Sequence, residues 1–102
     1  MGTLFYGPRQ YKVEDRLLAH LQVLISLKLR RGERFFLSWT KGATEGSGRV
    51  ALWIDNGLPI ACEFDGSRQP AIQRDWIESM AEAAGSSLGL DVTDDGQFPP
   101  PE

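Results

Sequence analysis

One stretch constrains the fold more than any other: Glu14 to Arg31 has the period of an amphipathic helix. At roughly 100° per residue, Leu17, Leu18, Leu21, Leu24, Ile25 and Leu29 fall on one continuous apolar stripe. Glu14 or Asp15 stands where an N-terminal cap or first-turn acid belongs, and Gly32 follows the last turn. Lys28, Arg30 and Arg31 close the helix, where its dipole favours cations. Val23 and Leu27 lie off the stripe, beside His20. The helix is therefore more apolar than a one-sided surface helix requires. It is either flanked by another element or offers a second contact surface.

Strand periodicity surrounds it. Thr3–Tyr6 and Tyr11–Val13 read as a hairpin across the turn Gly7-Pro8-Arg9-Gln10. Three later runs alternate with the period of half-buried strands: Arg34–Thr40, Arg49–Asp55 and Ile60–Asp65. Their inward sets are Phe35, Leu37 and Trp39; Val50, Leu52 and Ile54; and Ile60, Cys62 and Phe64. Asn56-Gly57 with Pro59 signals a turn, so the three runs are expected to form an antiparallel meander. A second helix is expected from about Pro70 to Ala84, with Ile72, Trp76, Met80 and Ala83 on one face. The order is β-β-α-β-β-β-α, an α+β domain with an antiparallel sheet and two helices.

At 102 residues the chain suits one domain, expected over residues 1–85. Residues 86–102 are expected to be a loose acidic tail: the last twelve residues hold four acids, no base and the run Pro99-Pro100-Pro101. Residues 1–34, by contrast, carry seven bases against three acids. The whole chain is at −3, which does not draw it toward nucleic acid or anionic lipid. No apolar run approaches the length of a membrane span, and Met1–Gly7 does not read as a signal peptide. A lone cysteine fits a reducing interior, so the expected location is cytoplasmic. One cysteine and one histidine exclude an internal disulfide and a Cys/His zinc site, and no cofactor is expected.

Two surfaces stand out as candidates. If both helices cover one sheet face, the other face presents Phe36, Ser38, Ala51, Trp53, Ala61 and Glu63, with Phe5 nearby. Exposed aromatics of this kind mark partner sites. The candidate partner-binding set is Phe36, Trp53, Ala51 and Phe5, for a protein partner or a second copy. The competing arrangements put the helices on opposite faces or cover the patch with a loop. The second surface is basic: Lys28, Arg30, Arg31 and Arg34, with Arg68 and Arg74 as possible members. Beside Trp39 or Trp53 it would suit a nucleic-acid backbone, whereas alone it is a solvated helix end. Asp65–Pro70 could hold an anion on loop amides, with Arg68 assisting, or be a plain turn. His20 has no partner at triad or ligand spacing and reads as a helix-surface or packing residue, and Cys62 as a buried structural thiol. Glu63 and Asp65 read as exposed rather than as an acid–base pair. Gly42–Gly48 lacks the ending of a phosphate-binding loop.

The strings Met1–Gly7, Leu18–Val23, Lys28–Glu33, Phe35–Trp39, Gly66–Pro70 and Asp75–Glu78 together resemble a family of actinobacterial proteins of about 100 residues and unknown function. The resemblance covers residues 1–84. Members often carry an "ATP-dependent DNA ligase" label, which implies at most an accessory, DNA-associated role for this chain. A nucleotidyl-transferring ligase needs a lysine nucleophile in a Lys-x-Asp-Gly setting. Lys28 is followed by Leu29-Arg30-Arg31 and Lys41 by Gly42-Ala43-Thr44, so no catalytic residue carries over. The expectation is a non-enzymatic interaction domain.

Overall fold

The computed structural model describes residues 1–41 and 48–93. The expected order holds, with one short strand added: β1 (Gly2–Tyr6), β2 (Arg9–Val13), α1 (Asp15–Arg30), β3 (Phe35–Thr40), β4 (Arg49–Ile54), β5 (Ile60–Glu63), α2 (Arg74–Ala84) and β6 (Leu90–Asp91). The class is α+β. The strands form two three-stranded sheets, ordered β2-β1-β5 and β4-β3-β6.

The expected meander breaks at β5. β3 and β4 pair antiparallel, with Phe36 opposite Trp53 and Ser38 opposite Ala51. β5 instead pairs antiparallel with β1, placing Leu4 opposite Cys62 and Tyr6 opposite Ile60. Asn56-Gly57 does reverse the chain, but Pro59 has no N–H to give a ladder. Its carbonyl accepts from the amide of Gly7 at 2.9 Å, which seats the returning chain beside β1. Gly7 takes φ 59° in the tight β1–β2 turn, a conformation that favours glycine.

The boundary expected at residue 85 also moves. β6 pairs parallel with β3, Leu37 opposite Leu90. Leu90 and Val92 join the core. Residues 86–93 are thus part of the domain, and the remaining tail (94–102) lies outside the described residues, as does the glycine-rich segment 42–47.

Helix α1 starts as its sequence requires. The Glu14 carboxylate accepts from the amides of Arg16 and Leu17, both at 3.1 Å. Gly32, at φ 73°, ends it. α2 docks beside α1, where the His20 and Trp76 rings meet with centroids 4.1 Å apart, while Val23, off the apolar stripe, stays exposed. Leu17, Leu18, Leu21, Leu24 and Ile25 enter a shared core with Phe35, Leu37, Leu52, Ile54, Ile77 and Met80. Helix α2 begins at Arg74, so Ile72 precedes it and stays exposed rather than sharing the Trp76 face.

Candidate partner-binding face

Both helices contact the sheets, α1 against β1 and β5 and α2 against β3 and β6. The inward residues of β3 and β4 are the expected ones: Phe35, Leu37, Leu52 and Ile54 are buried, with Trp39 and Val50 packed behind them. Alternation then turns Phe36, Ser38, Ala51 and Trp53 to the opposite face. Phe36 is 42% exposed and Trp53 48% exposed. Their rings touch across the strand pair, with centroids 4.9 Å apart and planes at 58°. Ala51 is exposed beside them.

Two further expectations for this face divide. Ser38 is buried, because the Arg49 guanidinium donates to its hydroxyl at 3.1 Å and to Asp91 Oδ2 at 3.3 Å. Phe5 is half-buried in β1, in the other sheet, opposite Ala61. The expected single patch is therefore split: Phe5, Ala61 and Glu63 lie on one sheet and Phe36, Ala51 and Trp53 on the other.

A feature not legible in the sequence borders the face. A groove of about 670 Å³ runs between the sheets, lined among others by Pro8, Ala51, Trp53 and Leu58. The Tyr6 hydroxyl donates across the gap to the backbone carbonyl of Trp53. Since β4 and β1 belong to different sheets, alternation patterns gave no sign of their approach.

The members of the basic set do not share one surface environment. Lys28 is buried, and its ammonium meets Glu33 Oε1 at 3.0 Å. Arg34 Nε is 3.1 Å from Asp55 Oδ1. Arg30 and Arg31 are exposed at the end of α1. Arg68 is also exposed but sits in the loop held at the opposite end of that helix. Fifteen residues of helix separate the two ends, roughly 22 Å. The loop amides do hold an anion, and it belongs to the chain: Asp15 accepts from Gly66 at 3.1 Å and from Asp65 at 3.4 Å. Asp65 in turn meets the N-terminal ammonium at 2.9 Å, a bond that lowers its pKa.

The two side chains with chemical potential are engaged elsewhere. His20 is buried; its Nδ1 donates to the Arg16 carbonyl at 2.7 Å, and its Nε2 accepts from the Gln73 amide at 2.9 Å. Burial lowers its pKa, so the ring is neutral. Cys62 is half-buried at a second groove, beside Ile25, Leu29 and Arg30, and burial pushes its thiol up, away from the reactive thiolate. Among the described residues, no three His, Cys, Asp or Glu side chains cluster as a metal site, and no helix is long and apolar enough to cross a membrane.

The family described as "Domain of unknown function (DUF7882)" matches residues 1–95. The chain belongs to that family. Its match runs past β6, in agreement with the core role of Leu90 and Val92. No curated protein and no solved structure matches the chain.

Proposed function

We propose that this DUF7882 domain is a non-enzymatic interaction module. It presents the outer face of the β4-β3-β6 sheet to another protein surface. The observation that carries this reading is the Phe36–Trp53 pair, two large aromatic rings in contact across adjacent strands and both close to half exposed. Leaving two such rings close to half exposed forgoes part of the roughly 1.5–3 kcal/mol that full burial of each side chain supplies. A protein partner recovers that energy, and aromatic residues are enriched in interface centres. The groove beside the pair adds Pro8 and Leu58 to the apolar surface. The state of the two reactive groups supports a binding role over turnover: His20 has both ring nitrogens bonded inside the domain, and the Cys62 thiol is held protonated.

The test is site-specific photo-crosslinking in the native host. A crosslinking residue replaces Ala51, at the centre of the face, and in a separate chain replaces Glu78, exposed on α2. A discrete protein adduct at position 51, stronger than any at 78, is expected. Equal or absent crosslinking at the two positions overturns the reading.

A further inference from the structure

The geometry points to a second copy of this chain as the occupant of the Phe36–Trp53 face, docked about a two-fold axis so that each Arg49 guanidinium covers the partner's aromatic pair. This rests on the interaction reading above and names the partner.

The face has two unlike halves. Phe36 and Trp53 form one row across β3 and β4, and Ser38 and Ala51 form the next. The rows are about 7 Å apart along the strands. Over the second row lies a cation, because Arg49, on the same side of β4 as Ala51 and Trp53, reaches across to Ser38 and Asp91. These bonds, one of them an ion pair with Asp91, hold the guanidinium beside Ser38 while leaving the side chain 62% exposed. A planar cation and an aromatic pair are complementary, since the ring faces carry negative charge density.

Self-complementarity follows from this adjacency. A two-fold axis lying between two such faces, and crossing the strands between the two rows, exchanges the halves. Each guanidinium then rests on the other chain's Phe36 and Trp53. An isologous contact makes every such pairing occur twice. The small side chains of Ala51 and Ser38 let the sheets approach. An unlike partner would need its own matching cation, whereas a second copy supplies one already positioned.

The extent of the face sets the strength. Three strands of at most six residues cover roughly 14 by 20 Å. That is well below the roughly 800 Å² per partner of a standard interface. The dimer is therefore weak, dissociating at micromolar to millimolar concentrations.

Sedimentation equilibrium of the full chain across that range tests the proposal, using Trp53→Ala and Arg49→Gln. Glutamine keeps an amide to donate to Asp91 and removes the cation. Thermal melts matching the native chain establish that both variants fold. Each variant alone is expected to self-associate about tenfold more weakly. Mixed in equal amounts, they are expected to associate more tightly than either alone, because one Arg49–Trp53 contact survives in the mixed dimer. A monomeric native chain at millimolar concentration overturns the second copy as occupant. A Trp53-dependent dimer that ignores Arg49→Gln, or a mixture no tighter than its components, overturns the two-fold arrangement. Neither of these results touches the broader interaction reading, which the crosslink at position 51 decides separately.

Discussion

Glu33 holds Lys28 twice: its amide donates to the Lys28 carbonyl at 2.9 Å, and its carboxylate accepts from the Lys28 ammonium at 3.0 Å. The first bond, with Gly32 donating to Leu29 at 3.1 Å, completes a Schellman closure of α1. The second neutralises a cation that the closing turn has carried inward. Lys28 is thus part of the helix end and not of a cationic surface.

The pair responds asymmetrically to truncation. Glu33→Ala leaves an ammonium that is only 11% exposed without its carboxylate, and is expected to cost about 1–2 kcal/mol. Lys28→Met keeps the volume, removes the charge and is expected to stay within about 1 kcal/mol of the native chain. Urea unfolding of both variants checks the order. A larger loss for Lys28→Met would mean that the ammonium contributes more than its burial costs.

His20 makes stability depend on pH. Its pKa in the folded chain lies below the ordinary 6.5, because burial disfavours the charged ring. Between the two values the unfolded chain binds more protons than the folded one. The contribution of neutral His20 is therefore whole above 6.5 and is lost as pH falls through the lowered value. Protonation also removes the Nε2 acceptor from the Gln73 amide at the start of α2. The carboxylates act in a more acid window: Asp91, bonded by Thr93, and Asp65, bonded by the N-terminus, are both held below the usual 3.8. The expected outcome is a fall in urea midpoint beginning near 6.5, absent in His20→Phe. A native midpoint that stays flat until the carboxylate window would refute the role given to His20.

Two leucines, one just before β6 and one within it, differ sharply in burial. Leu88 is 88% exposed, whereas Leu90 is 2% exposed. Leu90→Ala is expected to destabilise the domain by about 2–4 kcal/mol. Leu88→Ala is expected to change it by no more than about 0.5 kcal/mol. Thermal or urea unfolding distinguishes them. Comparable effects would contradict the β6 pairing.

The same two residues show where sequence reading ends. α1, β3 and β4 were legible because each carries a full period: the Leu17–Leu29 stripe, and the Phe35 and Val50 alternations. The exposed Phe36–Trp53 pair followed from that alternation. β6 has two residues, too few to display a period, and lies in an acidic, glycine-containing context that reads as tail. The departure of β5 from β4 was hidden for another reason. Alternation says which side of a strand is buried, and nothing about which edge it joins. The dispersal of the basic set has a third cause, since charge counted along the chain does not reveal that Glu33 and Asp55 engage Lys28 and Arg34.

Gly89 ties the last strand to the aromatic face. It takes φ 82°, and a Cβ there would stand 2.5 Å from the Phe36 carbonyl oxygen and 2.8 Å from the Phe36 Cβ. The first fact strains any L side chain, and the second blocks it with backbone that cannot swing away. Gly89→Ala must therefore push β6 off β3 or move Phe36. The expected loss is about 1–3 kcal/mol. Hydrogen exchange should quicken first at the Val92 amide, which donates to the Ser38 carbonyl at 2.9 Å. The exposed Gly57, where an added Cβ meets nothing within 4 Å, serves as the control, and Gly57→Ala is expected to leave Val92 exchange unchanged. Native-like exchange at Val92 in Gly89→Ala would show that the contact between Gly89 and Phe36 does not anchor the strand.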